Sequence, residues 1–215
     1  MAITELVFVP LKANEQVRAD FYNEIPSLIR ATFNVVGGPM ASVVGRVLES
    51  KPTSADNHCG YLVIFCWESI DMIKDFMKTP GFVNFKASLA GYVDGPPTLQ
   101  FFEAPPGIAP EETLHDSTHF FFMKSTGTGV QVSHAKQKWD ELAATFSRVA
   151  DDNVKYHNGD GVQEYNGHFA GFSGWKSISA LDKALGQMEI QKQLETLTKV
   201  GGSISTFTLE LNRVF

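Results

Sequence analysis

The sequence predicts an α+β chain built from two tandem β-α-β-β-α-β repeats, whose sheets pack face to face as one eight-stranded barrel. Two observations carry that prediction. Cys66-Trp67-Glu68-Ser69-Ile70 recurs as Gly174-Trp175-Lys176-Ser177-Ile178, each time after an apolar run and before a helix-like stretch. The 108-residue offset puts Leu89 on Leu197 and the strand near Phe101 to Glu103 close to Thr208 to Glu210. A repeat of that length is a domain, not a solenoid unit. The second observation is the order of segments. Each half alternates strand-like and helix-like patterns in the same sequence, and such a unit covers one sheet face with helices and leaves the other for a partner sheet.

In the first half, Ile3 to Pro10 alternates β-formers and ends at a proline, as a strand does. Asn14 is placed to cap a helix in which Val17, Phe21, Leu28 and Ile29 recur at helical spacing, with Pro26 expected to kink or interrupt it and Gly37-Gly38-Pro39 ending it. Ala41 to Leu48 and Tyr61 to Trp67 are strands, joined by a polar hairpin loop from Lys51 to His58. Ser69 can cap the next helix, although Met72 stands where a capping box wants Glu or Gln. Ile73, Phe76 and Met77 form its buried face. Pro80-Gly81 breaks it, a further turn runs through Phe82, Phe85 and Leu89, and Thr98 to Glu103 is the fourth strand.

Residues 105–116, rich in proline and acid, read as a linker between a ferredoxin-like half over 1–104 and a second over 117–215. There the strand Thr118 to Lys124 precedes a helix from Ala135 to Val149 carrying Trp139, Leu142, Ala143, Phe146 and Val149. Val154 to Tyr165 is a Gly- and Asn-broken hairpin, His168 to Trp175 a strand, Ser177 a helix cap, and Ile204 to Leu211 the last strand.

Composition narrows the function. Hydrophobic residues make up 43% and charged residues 20%, enough for a core in each half, and some of the 17 phenylalanines are expected to line a pocket. A net charge of −6 without a basic cluster argues against nucleic acid. No stretch has the length of a membrane span or the form of a signal peptide, so the expectation is a cytoplasmic protein that does not engage membranes. Cys59 and Cys66 suit neither a disulfide nor zinc, no histidine pair has metal spacing, and Gly159-Asp160-Gly161 lacks the context of a nucleotide loop. Neither a metal nor another cofactor is expected.

Trp67-Glu68-Ser69 followed by Asp75-Phe76, Pro80, Phe82 and Phe85 resembles the strand-to-helix signature of the dimeric α/β-barrel superfamily. That superfamily includes antibiotic-biosynthesis monooxygenases, stress-responsive barrel proteins and plant polyketide cyclases of the olivetolic acid cyclase type. The resemblance implies chemistry inside the barrel, in a chain that fuses two subunits into an internal pseudo-dimer, alone or as a further homodimer. Thr118-His119-Phe120-Phe121-Phe122 resembles the cyclase first strand and puts His119 on one of its histidines; the first half has Glu5 there. Its other His and Tyr positions fall on Tyr61 or Phe169, Phe76 or Ala184, and Phe82 or Ile190. The monooxygenases' strand-end Trp corresponds to Trp67 and Trp175, and the Asn their quinone-forming members carry falls on Val63 and Gly171.

Strand alternation, with Trp67 taken as pointing into the barrel, turns Tyr61, Val63 and Phe65 inward, and Phe169, Gly171, Ser173 and Trp175 with them. Glu5 and Val7, then His119, Phe121 and Met123, share that side. His119 is a candidate general base, since an unperturbed pKa of about 6.5 suits neutral pH; burial would raise the pKa of Glu5 and let it hold a proton; and Tyr61 can orient a carbonyl. Trp67, Trp175, Phe65, Phe121, Met123 and Phe169 are candidate substrate contacts. His168 joins them if Gly167 makes a bulge, because alternation alone points it toward the helices. His157 is expected at a surface turn, and His134 at a helix start. The resemblance implies a cofactor-free cyclase or lyase acting on a small, apolar, oxygenated or aromatic polyketide-like metabolite. The alternatives are a cofactor-independent monooxygenase on a phenolic substrate and a non-catalytic ligand-binding or stress-response barrel.

Overall fold

The computed structural model describes residues 1–51, 60–150, 154–199 and 203–215. The first four strands are β1 (Ile3–Phe8), β2 (Ala41–Lys51), β3 (Tyr61–Trp67) and β4 (Thr98–Glu103). With them come α1 (Glu15–Phe33), α2 (Ile70–Phe76) and α3 (Pro80–Ser88). After a short helix, α4 (Pro110–Leu114), follow β5 (His119–Thr126), α5 (Gly129–Val149), β6 (Lys155–Gly161), β7 (His168–Trp175), α6 (Ile178–Leu185), α7 (Met188–Lys199) and β8 (Ser203–Arg213). The strands close into an antiparallel barrel in the order β1-β3-β2-β8-β5-β7-β6-β4. Each half thus contributes the ferredoxin-like order 4-1-3-2, and two seams join them. The β2–β8 seam is long, running from Val43↔Arg213 to Lys51↔Thr206 around a bulge at Leu48, whereas β4–β6 pairs only Phe102↔Gly161 and Glu103↔Asp160.

The local signals act as expected at the caps. Asn14 accepts from the Val17 N–H, Ser69 from Met72 and Ser177 from Ala180, each satisfying an otherwise orphaned helix N–H. Pro26 does not end α1, which continues to Phe33. Its apolar residues Phe21, Ile25, Ile29 and Phe33 are buried against the sheet, and that packing outweighs one missing hydrogen bond. Helix α5 starts at Gly129, earlier than Ala135, because Thr128 and Gln131 form a capping box. The segment 105–116 holds α4, whose Pro110, Thr113 and Leu114 are buried. Most of the expected hairpin loop, with His58 and Cys59, lies outside the described residues.

One expectation is reversed. Leu6 and Phe8, Leu62, Ile64 and Cys66, Phe120 and Phe122, Ala170 and Phe172, and Phe207 and Leu209 form a single cluster drawn from both halves, which is the barrel interior. Phe122 stacks on Phe207 there, with centroids 4.6 Å apart. Trp67, Phe65 and Val63 instead pack under α1 and α2, and Trp175, Phe169, Phe121 and Met123 under α5 to α7. Alternation paired the residues correctly, but the side occupied by the tryptophans faces the helices. Both faces of β3 are apolar, so the pattern alone could not say which face was the barrel lumen. Among the described residues, no helix is long and apolar enough to cross a membrane.

Candidate functional site

The barrel lumen is filled with side chains. The open space lies in the first half, between the sheet and the helices, where a pocket of about 480 Å³ is enclosed by β1, β3, α1, α2, α3 and the 93–97 loop. Val7, Val63 and Phe65 form part of its floor, Ile25, Ile29 and Phe33 a wall, and Phe82, Phe85 and Leu89 part of its roof. Phe33 stacks on Phe65 at 4.6 Å and meets Phe76 and Phe85 at 4.8 and 5.0 Å, so a rigid aromatic group fixes one end of the cavity.

Glu5 is the carboxyl in this apolar space. Antiparallel pairing places it between Phe65 of β3 and Phe101 of β4, and only 5% of it is exposed. Its Oε2 accepts a 2.8 Å hydrogen bond from Trp67 Nε1. Burial pushes its pKa up to about 7, the indole bond opposing the shift only in part. The two bases of that result are geometric: β1 turns Glu5 toward the helices, and β3 ends with the indole beside it. Lys86 of α3, an exposed residue, is the cation among the lining residues.

The second half repeats the scaffold with an indole in the corresponding place. The helix caps Asn14 and Thr128 stand 114 residues apart, and at the same interval from Ile25 comes Trp139. Trp139 is fully buried, and its indole lies so close to Gly171 that a Cβ there would sit 2.1 Å from it. Gly171 is the counterpart of Val63, so a glycine on the sheet admits an indole from the helix, where the first half has Val63, Ile25 and the pocket. Trp175 donates to Ser173 at 3.0 Å instead of to a carboxylate.

Of the sequence candidates, Glu5, Trp67 and Phe65 meet at the pocket. Tyr61 lies near them on β3 but packs edge-on against Phe21 and against Tyr22. Phe121, Met123, Phe169 and Trp175 belong to the filled second layer. His119 is half-buried at the start of β5, its pKa lowered by desolvation while Glu210 and Asp182 oppose the shift. Since the Thr118 hydroxyl donates to the Lys176 carbonyl, His119 Nδ1 is the donor in its 2.9 Å bond to Thr118 Oγ1. His168 lies on the side of Ala170 and Phe172, opposite Phe169, and so faces the barrel, not the helices. Desolvation and the charge of Lys124 lower its pKa.

His157 is not at the surface. It is buried, stacked on Phe172 at 4.5 Å, with Nε2 3.0 Å from Thr4 Oγ1 and Nδ1 2.8 Å from Thr113 Oγ1. Burial drives its pKa down to about 3. The Gly-rich reading of β6 suggested a turn, but Gly159 and Gly161 permit close approach: Cβ atoms there would meet Phe102 and Tyr165. Cys66 is a free thiol buried in the barrel, and burial raises its pKa. Among the described residues, no group of three or more His, Cys, Asp or Glu is placed to hold a metal. Sequence reading put Trp139 on the apolar face of its helix but did not pair it with Gly171, although a glycine in a strand marks close approach.

No protein-family model matches the chain, and no curated protein sequence matches it. Solved structures do. An anthrone oxidase-like protein superposes with a TM-score of 0.64 at 12% identity, over 99% of this chain and 93% of its own. A provisionally named monooxygenase from Fusobacterium nucleatum gives 0.63 at 9% identity, over 98% and 92%. A heme-binding protein from Thermus thermophilus gives 0.52 at 11% identity, over 98% and 90%. The chain shares the fold of these proteins, with both halves of its closed barrel carried in one polypeptide.

Proposed function

We propose that the first-half pocket is the active site of a cofactor-independent oxygenase acting on one small, apolar, oxygenated aromatic molecule, with Glu5 as its acid–base group. The observation that carries this reading is a carboxyl, buried beside open apolar space, whose pKa of about 7 suits proton transfer near neutrality. The anthrone oxidase-like and monooxygenase names of the similar structures favour oxygenation over the cyclase or lyase chemistry first expected.

In this mechanism the ionised Glu5 removes a proton from an activated CH₂ flanked by two aryl rings that conjugate it to a carbonyl. The Trp67 N–H holds the carboxylate in place and the aromatic walls align the ring. The resulting enolate gives its electrons to dioxygen, a C–O bond forms, and the hydroperoxide loses water. One oxygen atom remains as a new carbonyl, and the other leaves with the two hydrogens. A heme would need an axial ligand; among the described residues no histidine, cysteine or tyrosine lines the pocket, and the lining Met77 lacks the histidine with which methionine shares heme iron, so the residues present do not fit that group.

The test is oxygen uptake with anthrone as probe substrate. Turnover with one dioxygen per anthrone is expected, rising as pH passes through about 7, and Glu5→Gln lowers kcat about 10²–10⁴-fold. Turnover without oxygen consumption would restore the cyclase or lyase reading, and binding without turnover would leave a ligand-binding barrel.

A further inference from the structure

We infer that the pocket's ligand is an amphipathic organic acid, held by a carboxylate at Lys86 on the rim while its apolar body lies inside against Glu5. This deepens the proposed function and rests on the first-half pocket being the binding site. The argument is one of charge placement. The lining residues include two ionisable side chains, Glu5 and Lys86. Glu5 is buried, so an anion placed beside it would lose its hydration and meet a second carboxylate whenever Glu5 is ionised; the depth of the pocket suits a neutral carbonyl or hydroxyl. Lys86 sits in the last turn of α3, exposed. Other lysines, in and just after α2, have partners: Lys74 pairs with Asp71 and Lys78 with Asp75. Lys86 forms no ion pair or hydrogen bond among the described residues, so its ammonium is available to a ligand at the opening.

A carboxylate at that point keeps part of its hydration and gains a cation, while its hydrocarbon body leaves water. The opposite orientation buries the charge next to Glu5. Lys86 is thus a specificity and orientation residue: it sets which end of the molecule reaches the carboxyl.

The experiment is isothermal titration of the intact protein with 2-naphthoic acid and with methyl 2-naphthoate. The acid is expected to bind more tightly than its ester to the wild type, and Lys86→Met is expected to weaken the acid by about two- to fivefold, the range of a solvent-exposed ion pair. The ester should be unaffected, and Lys86→Arg should retain the preference. An ester bound as tightly as the acid, or a preference for the acid that survives Lys86→Met, overturns the inference. The double variant Ile25→Trp/Val63→Gly copies the filling of the second half. If it abolishes binding of both probes while Lys86→Met changes nothing, the Lys86 inference falls and the pocket stands. If it leaves both probes bound, the pocket reading falls as well.

Discussion

The two halves bury titratable groups in opposite ways, as Glu5 and His157 show. The first half turns Glu5 toward its helices, beside open space, with a single hydrogen bond from Trp67. The second turns His157 into the barrel, where both ring nitrogens have a threonine hydroxyl and Phe172 covers the ring. Burial alone therefore does not mark a site. A buried group whose bonds are complete and whose surroundings are packed is part of the scaffold. One with spare bonding capacity beside a cavity is free to meet a ligand.

This contrast predicts pH dependences of opposite sign. His157 has a folded pKa of about 3 against an ordinary 6.5, so below pH 6.5 the unfolded chain binds the extra proton. Stability lost through this group should accumulate as pH falls from 6.5 toward 3, to about 4–5 kcal/mol at the scale of 1.36 kcal/mol per unit. His157→Gln should flatten that limb of a denaturant-midpoint profile; an unchanged limb would place the acid sensitivity elsewhere.

The next largest effect concerns the filling of the second layer. Trp139→Ala removes an indole seated on Gly171 and should cost about 3–5 kcal/mol by chemical denaturation. The cavity it leaves should bind added indole, with partial recovery of stability. A loss near zero would mean that the second layer collapses easily and that Trp139 is not what closes it.

Glu5 works in the other direction. Its folded pKa of about 7 lies above the ordinary 4.5, so the native state holds a proton that the unfolded chain has released. Stability is full below pH 4.5 and is lost as pH rises through 7, by about 3 kcal/mol. Glu5→Gln should therefore be the more stable protein at pH 8 and gain little at pH 4, while losing activity. Between pH 4.5 and 6.5 the contributions of Glu5 and His157 oppose each other.

The sequence made the repeat, the strand order and the caps legible because each rests on local chemistry: a recurring Trp-x-Ser-Ile phrase, period-2 runs, and side-chain oxygens at helix starts. It also brought Glu5, Trp67 and Phe65 together, since strand pairing follows from the order. Which side of the sheet held the site was not legible. Leu62, Ile64 and Cys66 are as apolar as Val63, Phe65 and Trp67, and only closure of the barrel assigns one set to the lumen. His157 was misplaced for a related reason: glycines at 159 and 161 signal a turn or a close approach equally well, and the approach at Gly159 is made by Phe102, far away in the chain.

The smallest expected effect is the sharpest test of the asymmetry. The sequence set His119 at the position of Glu5, and if the second half held a site there, replacing either would cost activity; strand pairing instead makes Phe121 the counterpart of Glu5, since Glu5 pairs with Phe65 and Phe121 with Ser173. His119, however, is half-buried, lines no part of the first-half pocket, and hydrogen-bonds to the neighbouring Thr118. Desolvation lowers its pKa only against the opposing pull of Glu210 and Asp182. His119→Ala should therefore change stability by no more than about 0.5 kcal/mol, as surface substitutions do, and leave oxygen uptake within about twofold of wild type, well short of the loss of a general base. A loss comparable to that of Glu5→Gln would show that the second half takes part in the chemistry despite its filled layer, and would make the two halves partners instead of a site and its support.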